Sequence, residues 1–292
     1  MTEAPFLAGR GAIVVGSGSG VGRAVAELLA AHGAGVVVNS RTEESVKGVT
    51  ETIVGAGGRA VGIAGSAADE QIAGSLISAC AETYGGIDIL INCAGIAEPR
   101  RSSILDVSGE DWRALLDSHL STVFHTCRAA APLMAERGAG AIVNTGSFAY
   151  LGDYGGTGYP AGKGAVTSLS LAMAAELKQS GVRVNVVCPG AKTRLSSGPD
   201  YEEHIRDLHR RGLLDEVTMQ GSLDAPPPEF AAALYLFLAS DAARAVTGEI
   251  FIAAGGFVGT FARPAMTAIG YRDHAQQLPW SVAELGSLFE KR

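Results

Sequence analysis

The chain is poor in aromatic residues, in cysteine and in basic charge, and it has no long apolar run. Each shortage removes a class of protein. Phe, Trp and Tyr together make up 6% of the 292 residues, too few for the packed faces of a β-sandwich. Lys and Arg number 23 against 30 Asp and Glu, a net charge of −7, so a basic surface for nucleic acid is not expected. The four cysteines, Cys80, Cys93, Cys127 and Cys188, form no CxxC pair and no Cys/His zinc spacing. No metal site is expected, and the thiols read as buried groups in a reducing compartment. No apolar run approaches the ~18 residues of a membrane span. The first residues also lack the charged-then-apolar pattern of a signal peptide. The expectation is a cytoplasmic protein that acts on a small molecule, with neither a membrane nor a nucleic acid as partner.

What is present is glycine, 39 residues, within a chain that is 47% hydrophobic. Short β-branched runs alternate with helical stretches. Strands are expected at Gly11–Val15, Gly35–Asn39, Ala60–Ile63, Ile87–Asn92, Ala141–Thr145, Val182–Cys188 and Glu249–Ala253. The longest helices between them are expected at Gly109–Arg137 and Tyr159–Gln179. This alternation implies βαβ units, and the near-continuous apolar strands imply a parallel sheet covered on both faces. The expected fold is α/β: a doubly wound, Rossmann-like sheet of about seven strands in one domain, residues 1–256. Within it, 192–227 is polar and irregular and is expected to form a lid over the substrate. Residues 257–292 form a C-terminal extension.

The first strand runs into Val15-Gly16-Ser17-Gly18-Ser19-Gly20-Val21-Gly22, which opens a helix. Glycines there let a backbone approach a pyrophosphate, and the helix start offers free N–H groups and the positive end of a dipole. A tight βα turn with no ligand would also be glycine-rich. There is no GxxxxGK[ST], which argues against a P-loop nucleotidase, and no GxSxG of a serine hydrolase. The second strand ends in Asn39, Ser40 and Arg41. A carboxylate there would pair with a free ribose diol, whereas an arginine attracts a 2′-phosphate. Ser40 and Arg41 therefore favour NADP(H) over NAD(H), unless Arg41 is only a solvated surface charge.

With these residues in view, the chain resembles the short-chain dehydrogenase/reductase family over about residues 7–256, in particular its 3-oxoacyl-ACP reductases and 3-hydroxyacyl-CoA dehydrogenases. Val15 to Gly22 resembles that family's TGxxxGxG turn, with Val15 in place of threonine. Asn92-Cys93-Ala94-Gly95 resembles NNAG, Tyr159 to Lys163 is a YxxxK pair, and Pro189-Gly190 matches the turn after the sixth strand. The resemblance implies a cofactor site made from Gly16, Ser17, Gly18, Ser19, Gly20, Val21, Ser40, Arg41, Asn92, Ala94, Gly95, Tyr159, Lys163, Pro189 and Gly190. It implies that Tyr159 exchanges a proton with a carbonyl or alcohol oxygen. Tyrosine and lysine four apart share a helix face, and an ammonium nearby is expected to lower the phenol pKa from about 10. Ser147 is the candidate for holding the substrate oxygen, with Thr145 as the alternative. It stands twelve residues before Tyr159, one fewer than the family spacing. The glycines at 152, 155, 156 and 158 can absorb that difference.

Two positions depart from the family. His119 falls where the family has a catalytic asparagine, and it is expected either to add a group titrating near neutrality or simply to pack in a helix interface. Ser66 replaces an aspartate often found near the adenine. The implied activity is NAD(P)(H)-dependent interconversion of a ketone and a secondary alcohol, with a 3-oxoacyl or 3-hydroxyacyl thioester as the leading substrate. A hydroxysteroid or other alicyclic alcohol is the alternative, and a non-catalytic nucleotide sensor on the same fold is a third reading. The basic residues His204, Arg206, His209, Arg210 and Arg211 could meet a phosphate-bearing substrate or could line a solvated helix. A homodimer or homotetramer on the two longest helices is also implied.

Overall fold

The computed structural model describes residues 6–99, 102–154 and 156–290. The chain divides into two compact units after Phe261. In the first, strands and helices alternate: β1 (Gly11–Val15), α1 (Gly20–Ala31), β2 (Gly35–Ser40), α2 (Glu43–Gly55), β3 (Arg59–Ala64), α3 (Glu70–Tyr84) and β4 (Ile89–Asn92). There follow α4 (Gly109–Leu116), α5 (Thr122–Arg137), β5 (Gly140–Thr145), α6 (Gly158–Leu177) and β6 (Val182–Gly190). The unit closes with α7 (Pro199–Arg210), α8 (Glu216–Leu223), α9 (Pro228–Ala239), β7 (Ile250–Ala254) and β8 (Phe257–Thr260).

The sheet order is β3-β2-β1-β4-β5-β6-β7-β8, parallel up to β7. Successive side chains of β1 leave opposite faces, which explains the unbroken apolar run. Ala12 and Val14 join one core layer with Val25 and Leu29 of α1 and Tyr235 and Leu238 of α9. Ile13 and Val15 join the other, with Leu76 of α3, Val123 and Cys127 of α5 and Val166 of α6. All four cysteines are free, and three of them are buried.

The structure differs from the sequence expectation in three places. An eighth strand, β8, pairs antiparallel with β7, so the chain expected to begin the C-terminal extension at residue 257 still belongs to the sheet. The expected single helix Gly109–Arg137 is broken by a π turn at Asp117–Ser121, where the Thr122 N–H reaches back five residues to the Asp117 carbonyl. The lid expected to be irregular contains α7 and α8. Its basic side chains are answered locally: Arg206 pairs with Glu202, Arg210 and Arg211 with Asp207, and His209 with Glu216.

The second unit is organised around Arg272. Its guanidinium lies 4.0 Å from the Trp280 ring centroid, donates to the Leu278 and Pro279 carbonyls, and pairs with Glu284. Glu284 also closes a capping box with Ser281 that starts α10 (Val282–Phe289). These contacts hold its carboxyl at about 2. Among the described residues no helix is long and apolar enough to cross a membrane.

Candidate active site

The strand order reverses between β1 and β4, and ligands of such sheets bind at the carboxyl ends beside that reversal. The glycine turn sits there. Gly16 has φ +77°, and a Cβ on it would lie 2.5 Å from the Ala94 nitrogen. A Cβ on Gly18 would strike the Ser40 hydroxyl, and one on Gly22 would strike the Gly16 carbonyl. Only glycine lets the turn, the end of β2 and the Ala94 backbone come together. Ser17 is fully buried. Its hydroxyl donates to the Val14 carbonyl at 2.8 Å and accepts the Asn39 N–H at 3.0 Å, while its own N–H donates to the Asn39 carbonyl at 2.8 Å, which pins the turn to the end of β2.

Ser19 caps α1 by position but makes no side-chain cap hydrogen bond, and Val21 is buried in the first turn. Arg194, which follows β6, donates to the Ser19 hydroxyl at 2.9 Å. A second guanidinium thus stands over the turn whose own residues are neutral. Arg41 is exposed just beyond Ser40 at the end of β2. These features suit a dinucleotide: an uncapped helix start, a glycine cradle and arginines at its rim. Pro189 and Gly190 close the same edge, in register with Ala253 and Ala254 of β7.

Asn92 was expected at the cofactor, but its side chain points inward. Its amide donates to Asn144 at 2.9 Å and its carbonyl accepts from Thr126 at 2.9 Å, while Asn144 in turn donates to Ser170 at 2.9 Å. This buried polar chain ties β4, β5, α5 and α6 together beneath the site, because each buried amide needs a partner. Thr126, Asn144 and Ser170 were not singled out by sequence; their signal is a polar residue in an otherwise apolar strand or helix face.

Tyr159 and Lys163 occupy the first turns of α6. Lys163 is buried, its ammonium 5.9 Å from the Tyr159 ring centroid and 2.9 Å from the Thr145 carbonyl, to which it donates. Burial brings it down to about 8. The Tyr159 phenol stands above its usual range because burial outweighs the opposing hydrogen bond from Ser147. The expected lowering of the phenol by the ammonium is therefore not met. Thr145 instead turns its hydroxyl to Tyr235, at 2.8 Å, which leaves Ser147 as the hydroxyl beside the phenol. Of the glycines that were to absorb the short spacing, Gly155 lies outside the described residues.

His119 sits in the π turn and is 1% exposed. Its Nε2 is 3.0 Å from the Ile96 carbonyl, so that nitrogen carries the proton and Nδ1 is a bare acceptor. Nδ1 is buried with no partner. Burial, helped by the Lys163 charge, holds the ring down at about 3. It does not titrate near neutrality; of the two readings of this position, the histidine packed in the helix interface is the one its burial favours. The space beside Gly95 borders both groups: a Cβ there would be 3.0 Å from Nδ1 and 3.8 Å from the Lys163 ammonium. Among the described residues, no cluster of His, Cys, Asp or Glu is arranged to hold a metal.

A doubly wound sheet with a glycine cradle at the reversal and a Tyr/Lys/Ser cluster beside it defines a nicotinamide-dependent oxidoreductase. The family model described as enoyl-(acyl carrier protein) reductase matches residues 15–258. A cyclohexanol dehydrogenase of Acinetobacter sp. is 34% identical over 84% of this chain and 94% of that protein. The hydroxyacyl-CoA dehydrogenase ChsB1 of Mycobacterium tuberculosis is 34% identical over 97% of this chain and 88% of that protein. A crystal structure of a short chain dehydrogenase from Mycobacterium avium superposes with a TM-score of 0.80 at 33% identity, covering 98% of this chain and 95% of that one. The chain belongs to the short-chain dehydrogenase/reductase family, and it is an NAD(P)-dependent oxidoreductase acting on CH–OH groups.

Proposed function

We propose that the protein interconverts 3-oxoacyl and 3-hydroxyacyl thioesters with NADP(H). One observation carries the substrate class. The similarity to the hydroxyacyl-CoA dehydrogenase covers 97% of the chain and so runs past Phe261, whereas that to the cyclohexanol dehydrogenase covers 84%. NAD(P)H oxidation with acetoacetyl-CoA and with cyclohexanone tests it. A higher kcat/KM for the thioester is expected; a preference for the cyclic ketone would favour an alicyclic alcohol instead. The locally paired arginines of α7 give the coenzyme A phosphates no evident partner there, so thioester recognition is assigned to other surfaces.

The cofactor supplies the hydride. The turn from Gly16 to Val21 would hold its diphosphate, Ser40 and Arg41 its adenosine end, and Ala94, Gly95, Pro189 and Gly190 the nicotinamide half. By family resemblance Lys163 reaches the nicotinamide ribose. Tyr159 is protonated at neutral pH and donates that proton to the ketone oxygen, which the Ser147 hydroxyl also holds. His119 stays neutral, and its bare Nδ1 faces the same gap beside Gly95 as the Lys163 ammonium. The half-exposed Phe124 and the exposed Leu133 of α5 support a homodimer on α5 and α6.

A further inference from the structure

The N-terminus of α6 carries the catalytic tyrosine, yet its own capping residue fails. Thr157 stands at the cap position but makes no side-chain cap hydrogen bond, and its hydroxyl is buried without a partner. The donors of this turn are satisfied by a residue about sixty positions earlier. Glu98, in the segment after β4, accepts the N–H of Thr157 at 3.1 Å and of Gly158 at 3.2 Å on Oε1, and the N–H of Tyr159 itself on Oε2. The next residue, Pro160, has no N–H, and Ala161 already bonds back to the Thr157 carbonyl. Glu98 therefore satisfies the whole set of orphan donors that begins the helix.

The fit is close on every side. Ser102 donates to Oε1 at 2.8 Å. Gly156, at φ +78°, passes so near that a Cβ would lie 3.2 Å from the carboxyl carbon. The carboxylate also faces the positive end of the 20-residue helix, the favourable polarity. It joins the loop after β4 to Gly156 and to the first turn of α6, and so to the backbone of the catalytic tyrosine.

We propose that Glu98 is a positioning residue for proton transfer, fixing the Tyr159 backbone so that the phenol meets Ser147 and the substrate oxygen. The proposal rests on Tyr159 being the proton donor. A displacement of about 1 Å at such a group costs up to ~100-fold in rate. Glu98→Ala is expected to lower kcat by about 10- to 100-fold with KM for the ketone and NADPH affinity, read by fluorescence titration, both within about twofold. Glu98→Gln keeps an acceptor oxygen and should recover most of kcat. Gly156→Ala, which presses on the same carboxylate, should resemble Glu98→Ala. Hydrogen exchange of the amides at 157–159, which needs no substrate, should quicken in Glu98→Ala. A Glu98→Ala protein with kcat and exchange unchanged, or with NADPH affinity falling in step with kcat, overturns the proposal. If Glu98→Ala does not fold, exchange in Glu98→Gln decides: with one acceptor oxygen in place of two, its amides at 157–159 must still exchange faster than in wild type, and wild-type exchange there overturns the proposal. Tyr159→Phe is the control: if it turns over normally, the tyrosine assignment itself has failed, whereas an inactive Tyr159→Phe beside a normal Glu98→Ala sinks only the role of Glu98.

Discussion

The imidazole of His119 stands edge-on to the Tyr159 ring, with centroids 5.0 Å apart and planes at 85°. The contact holds a neutral ring against the phenol, and its cost appears in acid. Below pH 6.5 the imidazole of the unfolded chain takes up a proton that the folded site refuses until about pH 3. Stability is thus lost as the pH falls through that window, by about 1.4 kcal/mol per pH unit from this group. Denaturation of His119→Asn followed from pH 7 to 4 should show a flatter decline than wild type. Parallel curves would mean that the folded imidazole is protonated.

Tyr159→Phe removes the proton donor and leaves the glycine turn intact. Its turnover should fall by at least about 100-fold with NADPH affinity near wild type. Lys163→Ala should lose both turnover and affinity under the proposed reading, in which its ammonium reaches the nicotinamide ribose beside the phenol. Stopped assays and cofactor titrations separate the two cases.

Cofactor choice turns on charge at the turn. Arg194 donates to the neutral Ser19, and under the proposed NADP(H) reading it and Arg41 supply the positive charge at the turn. A charge-assisted contact of roughly 1.5–3 kcal/mol gives a preference for NADPH of about 10- to 150-fold. Ser40→Asp with Arg41→Ala should move selectivity towards NADH. Titration of the wild type at fixed salt decides the point, and equal affinities would reduce Arg41 to a surface charge.

Phe124 is 49% exposed on α5, beside Leu120 and Leu169. Phe124→Arg should shift the protein to a smaller species in sedimentation while leaving the monomer folded. A wild-type protein that already sediments as a monomer would remove the assembly from consideration.

Much of this was legible in the sequence because it is local. β1 declares itself because both its faces are buried, and the YxxxK pair because four residues make one helical turn. The π turn was not legible, since its apolar spacing continues that of the helices on either side. β8 was missed because Phe257 and Val258 are exposed and follow two glycines. Asn92 carried a motif position whose side chain the fold uses elsewhere. His119 could be placed, but not its charge state, which depends on Ile96 and Lys163 closing around it. Glu98 has no local signal at all: a cap supplied from another strand's loop exists only once the sheet has formed.

The π turn also solves a problem of phase. α5 buries Val123, Cys127, Ala130 and Met134, while α4 buries Leu115. In an uninterrupted α-helix each residue advances the side chain by about 100°, so eight steps from Leu115 to Val123 would carry Leu115 roughly 80° off the α5 stripe. The π turn takes up one step and returns Leu115 to the side of the four anchors. The surplus residue works as slack between two rods whose stripes stay aligned, and His119 is mounted on the slack.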